Sequence, residues 1–220
     1  MTDQTDASPP DSAGTSGDVQ IIAAERLIFF SDAVVAIAIT LLALGLPVPK
    51  GSGDEAVWQS LRSLTNAYLA FLISFAVIGA YWRLHHRLYR YVGRLDSRLV
   101  SINLVWLLMI IITPYVTRVL EGPDAFGVRF SLYAGIQVIT MVAFVLMRRH
   151  IRDHDLLRPG ASANVVAADD ISFIAVAAAF AISIPVAAAS GSQLTYLIWV
   201  ATAVGARAFR RMRDPLGERG

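Results

Sequence analysis

Arg26-Leu27-Ile28-Phe29-Phe30-Ser31-Asp32 leads straight into an apolar run from Ala33 to Leu46. A helix needs about 20 such residues to cross the roughly 30 Å hydrocarbon core of a bilayer, and the whole segment from about 21 to 46 supplies them. Its head carries a guanidinium, a hydroxyl and a carboxylate. Ionisable groups inside a membrane are costly unless partnered, so Arg26 and Asp32 are expected to mark a functional or organising site.

The rest of the composition points the same way. The 220-residue chain is 55% hydrophobic and 16% charged, with mean hydropathy +0.55, whereas soluble domains carry about a quarter charged residues. This describes an integral membrane protein. Lys50 is the one lysine, and the remaining basic residues are arginines. Most of them lie at the ends of apolar segments or in the connections between them, with no basic and aromatic recognition surface elsewhere, so nucleic acid is not an expected partner. The absence of cysteine removes disulfides, thiolate catalysis and Cys-based zinc sites.

Six apolar segments follow one another at about 21–46, 56–82, 99–119, 126–147, 170–189 and 192–210. Only helices or closed barrels satisfy their backbone in lipid, and the short alternating strands of a barrel are missing. The predicted fold is therefore an all-α membrane protein with six transmembrane helices, spanning residues 20–211. Residues 1–19, rich in Asp, Ser, Thr, Gly and Pro, read as a disordered N-terminal tail, and 212–220 as a C-terminal tail. The first apolar run lacks the basic leader of a signal peptide and is expected to be retained. Arginines gather at alternate ends: Arg83, Arg87, Arg90, Arg94 and Arg98; Arg148, Arg149, Arg152 and Arg158; then Arg207, Arg210, Arg211 and Arg213. By the positive-inside rule these ends, and both termini, are cytoplasmic in the cell membrane.

At 100° per residue, Phe30, Ala33, Ile37, Leu41 and Leu44 form one stripe on the first helix, with Thr40 at its edge, while Ser31 and Asp32 point away. The stripe could line an axis between subunits, or it could face lipid or core. Arg26 and Asp32 are six residues apart and do not pair along one helix face. Partners are expected from the second segment, where Trp82, His85 and His86 stand at i, i+3 and i+4, and from Asn103 early in the third. Adjacent imidazoles on a helix diverge and no further ligands have metal-site spacing, so hydrogen bonding is expected here rather than metal binding. Pro114 is expected to kink the third helix, with Thr113 covering a freed carbonyl.

No phosphate loop, nucleophile elbow or zinc-hydrolase motif is present, so no enzymatic activity and no cofactor are expected. A Thr-Val-Gly-Tyr-Gly-like potassium filter is also missing. Asp153, His154 and Asp155 read as a solvated loop, and Asp169 with Asp170 as a helix N-cap.

Arg26-x-x-x-Phe30-Ser31-Asp32 followed by Ala-Ile-Ala-Ile-Thr-Leu-Leu resembles the signature of the transmembrane protein 175 family of potassium channels, in its prokaryotic branch with one six-helix repeat per chain. Trp82-x-x-His85-His86, the Leu-Asp-Ser-Arg-Leu run before Asn103, and Pro114 extend the likeness to about residue 120. The resemblance implies four chains around a pore lined by the first helix and selective, weakly to moderately, for potassium ions. It places a hydrophobic constriction at Ile37, a hydroxyl layer at Thr40, and Leu41 and Leu44 farther out. Arg26, Phe30, Ser31, Asp32, Trp82, His85, His86 and Asn103 would form a structural polar network. The alternative is a proton-permeable channel or proton-coupled carrier in which Asp32 and a histidine titrate.

Overall fold

The computed structural model describes residues 12–122, 124–161, 178 and 180–187. The chain forms helices α1 (Ser12–Leu44), α2 (Asp54–Ser63), α3 (Thr65–Tyr89), α4 (Ser97–Leu120) and α5 (Phe126–Asp153), with another helical stretch over 180–187. Among the described residues the one β pairing is an isolated bridge between Val92 and Leu157. Among the described residues, four helices are long and apolar enough to cross a membrane: Gln20–Leu44, Thr65–Tyr89, Ser97–Leu120 and Phe126–Asp153. They correspond to the first four expected spans. The stretch 180–187 belongs to the fifth, while the sixth, at 192–210, lies outside the described residues, as do Asp169, Asp170 and the C-terminal tail. At the other end α1 starts at Ser12, inside the expected 1–19 tail, whose earlier residues are also outside the described set.

The second segment differs from its expected bounds of 56–82. Residues 54–63 form the separate helix α2, which buries nothing, and the membrane span is α3, shifted toward Tyr89. Asp54 and Glu55 sit in the first turn of α2 and Arg62 in its last, matching the helix dipole, but Gln59, Ser60, Arg62 and Ser63 are too polar for lipid. Gly51 and Gly53 ahead of it take positive φ values of 144° and 90°, which side chains with a Cβ rarely adopt. At its far end α3 continues through the Arg-Leu-His-His-Arg stretch because Tyr81, His85, Leu88 and Tyr89 keep filling inward positions.

α1 packs against α3 and α4, α4 against α3 and α5. On α1 the buried residues are Ala24, Ile28, Ser31, Val35, Ala38 and Leu42, alternating steps of four and three. That periodicity keeps one seam facing its neighbours over the whole helix. Small residues in the seam let helices approach closely, which matters where lipid removes the hydrophobic drive for association. Ile78, Tyr81, Trp106, Leu107, Ile110, Met141, Phe144 and Met147 complete this core from α3, α4 and α5.

α4 runs unbroken through Pro114. Pro114 has no N–H to give Ile110 O, and Thr113 Oγ1 instead bonds Met109 O at 2.9 Å, one carbonyl earlier. At the end remote from the arginine clusters, a Cβ on Gly45 would lie 2.6 Å from Arg118 Nε. The missing side chain lets this guanidinium lie against the C-terminal end of α1, where a cation meets the negative end of the helix dipole.

Candidate functional site

α1, α3 and α4 bring the sequence-predicted polar residues together as two branches. In the buried branch, Ser31 Oγ donates to Leu27 O at 2.8 Å and accepts from Asn103 Nδ2 at 3.1 Å. Asn103 Oδ1 stands 2.7 Å from His85 Nε2. Since Asn103 gives its amide protons to Ser31, its oxygen is the acceptor, and His85 Nε2 carries the hydrogen. The imidazole is sandwiched by Tyr89 and Trp106, with ring centroids 4.3 and 4.4 Å away. Ser31, His85 and Asn103 are all buried, so each bond replaces water that cannot enter. One chain of hydrogen bonds thereby ties α1 to α4 and α4 to α3.

The second branch is half exposed. Trp82 Nε1 donates to Asp32 Oδ1 at 2.9 Å, and His86 Nδ1 lies 3.6 Å from Asp32 Oδ2. The Trp82 and His86 rings are 5.8 Å apart, one turn from each other on α3. The spacing i, i+3 and i+4 would put Trp82, His85 and His86 on one face toward Asp32, and the structure corrects that expectation. His85 turns 100° away from His86 into the core, and His86 rather than His85 faces Asp32.

Arg26 and Phe30 stay outside both branches. Each is exposed, and neither has a hydrogen bond or ion pair among the described residues. With them on the outward face of α1 lie Ala33, Ile37, Thr40, Leu41 and Leu44. Ile37 is 59% exposed and Leu44 76%. Thr40 Oγ1 donates its proton to Ile37 O at 2.8 Å, so the hydroxyl offers oxygen lone pairs outward. Beside this stripe an apolar groove of about 180 Å³ is lined by Val34, Ile37, Ala38, Leu41 and Ile111.

Sequence reasoning missed a further pair. Asp96 caps α4, its Oδ1 accepting from Leu99 N at 2.7 Å, while His150 Nε2 on α5 comes within 2.6 Å of its Oδ2. His154, expected in a solvated loop, lies against His150 with the ring centroids 4.1 Å apart and the planes tilted by 33°. The Leu-Asp-Ser-Arg run before an apolar helix signals the cap, but nothing in the spacing signals a histidine 54 residues away. Desolvation pushes the Asp96 carboxyl up, but the Leu99 N–H and then His150 outweigh it and hold it below the usual carboxylate range. A depressed acid stabilises the fold above its unfolded pKa, and that contribution disappears as pH falls through the folded value. We expect stability to drop below about pH 4 in the native chain. Asp96→Ala should cost about 1 kcal/mol near neutral pH through the lost cap and flatten that acid limb. Thermal melts across an acid pH series check it, and an unchanged acid limb in the variant would refute it.

Residues 26–114, which hold both branches and the exposed stripe, match the family model of the endosomal/lysosomal potassium channel TMEM175. A potassium channel of Streptomyces collinus is 35% identical over 153 residues, covering 67% of this chain and 74% of that protein. The chain belongs to the TMEM175 family. The crystal structure of a lysosomal potassium-selective channel TMEM175 homolog from Chamaesiphon minutus superposes with a TM-score of 0.70 at 29% identity, over 86% of this chain and 96% of that one. A zebrafish endosomal/lysosomal proton channel TMEM175 is 32% identical over 91 residues, only 18% of its own length. TMEM175 proteins are ion channels, and the four apolar helices place this member in a membrane.

Proposed function

We propose that this TMEM175 chain is a potassium-selective channel in the cell membrane, with ions passing between four copies along a pore lined by α1. The observation that carries the reading is the division of α1 into two faces. One is locked to α3 and α4 by the Ser31–Asn103–His85 chain, and the other leaves Ile37, Thr40, Leu41 and Leu44 uncovered within the single chain. Opposing copies of that face would give a narrow apolar constriction at Ile37, which resists ions because hydration is lost there without replacement. Thr40, whose proton is already spent on Ile37 O, would present acceptor oxygens next to it. Ser31, Asp32 and their partners would hold helix position rather than touch ions, with both termini cytoplasmic.

Recording from purified protein in a bilayer, with potassium on one side and sodium on the other, tests the proposal. Discrete openings with a reversal potential displaced toward the potassium equilibrium value are expected. Saturable counterflow without openings would replace the channel by a carrier. The name of the zebrafish relative supports a second reading, proton permeation, in which the partly exposed Asp32–His86 pair midway along α1 would take part. A reversal potential that follows a pH gradient at symmetrical potassium would establish it.

A further inference from the structure

Leu69, Leu72, Ala76, Ala80, Arg83, Arg87 and Arg90 are all exposed on α3 and the turn that ends it. At 100° per residue they share an arc of about 80°, a single stripe from one end of the span to the other. It is apolar for most of its length and turns basic only over the last two turns. Packing does not use it: the inward positions of α3 lie on the far side, and Trp82 and His86, which clamp Asp32, flank it.

The three guanidiniums have no partner among the described residues. Among the described residues, four carboxylates at this end are engaged elsewhere, Asp32 by Trp82, Asp96 by His150, Asp153 by Arg152 and Glu25 by Arg158, and Asp155 is not paired with any of the three arginines. Three arginines at i, i+4 and i+7 with no internal anion create a local positive field, and planar guanidinium forks match phosphate oxygens. Such a field is screened in water but persists where a helix emerges from low-dielectric lipid.

We propose that this stripe is a binding site for an anionic phospholipid of the leaflet that the arginine-rich ends face. The phosphate headgroup sits on Arg83, Arg87 and Arg90, and an acyl chain lies along Ala80, Ala76 and Leu72. Charge complementarity selects the head, and the uninterrupted apolar continuation at the right depth selects a lipid over a free anion. Positive-inside placement accounts for arginines near this interface, but not for their alignment with one exposed apolar stripe.

The test uses the full chain, purified in detergent with added phosphatidylglycerol or phosphatidylcholine of the same acyl chains, and counts retained lipid by native mass spectrometry. Preferential retention of phosphatidylglycerol is expected, weakening as salt is raised. Arg83→Gln, Arg87→Gln and Arg90→Gln should each lower that affinity roughly fivefold, and the triple variant on the order of a hundredfold, with phosphatidylcholine unaffected. The triple lysine variant should retain a clear preference, and Arg62→Gln on α2 should change nothing. If the triple glutamine variant does not fold, the three single variants decide. Equal retention of both lipids, or an undiminished preference in the glutamine variants, would overturn the proposal. So would a change in oligomer mass without any change in lipid retention, because the stripe would then be covered by another copy.

Discussion

Asn103→Leu is expected to lower the stability of the folded chain by about 2–4 kcal/mol, since it leaves the buried His85 N–H unpaired and removes the donor to Ser31. Leucine keeps the branched skeleton of asparagine but has bulkier methyl groups, so overpacking at this buried site adds to the lost hydrogen bonds. Single side-chain hydrogen bonds in membrane proteins average only about 0.6 kcal/mol. The larger figure here follows from the sandwich of Tyr89 and Trp106, which leaves the imidazole no room to turn toward water. Asn103→Leu combined with His85→Phe removes both partners and keeps an aromatic ring in the stack. Replacing both members of a buried pair by apolar groups is often nearly neutral, so the double variant should be more stable than Asn103→Leu alone. Reversible unfolding in mixed micelles measures this, and a double variant no more stable than Asn103→Leu alone would refute the account. Ser31 Oγ retains its bond to Leu27 O throughout, so the loss of Asn103 leaves no unpaired hydroxyl proton on α1.

Ile37→Asn is expected to raise potassium current on the order of tenfold, which requires only about 1.4 kcal/mol off the barrier at the constriction. An amide there keeps water in a segment that an isoleucine ring would empty. The same substitution separates the pore from its rival. If Ile37 faces lipid, a polar group on that face lowers membrane insertion and stability and leaves the current per channel unchanged. Leu108→Asn, on the exposed face of α4, serves as the comparison and should show that second pattern. Single-channel recording together with yield of assembled protein reads both quantities. Unchanged conductance and open probability for Ile37→Asn would remove Ile37 from the pore.

What could be foreseen rested on local rules. Run length and hydropathy located the first four spans, because crossing lipid demands about 20 apolar residues in a self-satisfied helix. A rotation of 100° per residue separated Ile37, Leu41 and Leu44 from Ser31 on α1, and the buried seam through Ala24, Ile28, Ser31, Val35, Ala38 and Leu42 lies where that rotation puts it. The family signature lies in the same stretch. The second segment failed the length argument because α2 adds ten residues that are helical but too polar to be in the membrane. A single apolar average merges two helices that the turn at Leu64 divides.

Pairings across helices were not legible. Sequence spacing placed Trp82, His85 and His86 together at about the level of Asp32, but which imidazole reaches the carboxylate depends on how α3 is rotated and slid against α1. The tertiary structure assigns His86 to Asp32, His85 to Asn103 and His150 to Asp96. Those choices come from packing: a ring such as His85 enters the core only because Tyr89 and Trp106 close on both its faces. Helix identity and facing are properties of neighbours along the chain, whereas the match of one buried donor to one acceptor is decided by residues tens of positions apart that only the assembled bundle brings within 3 Å.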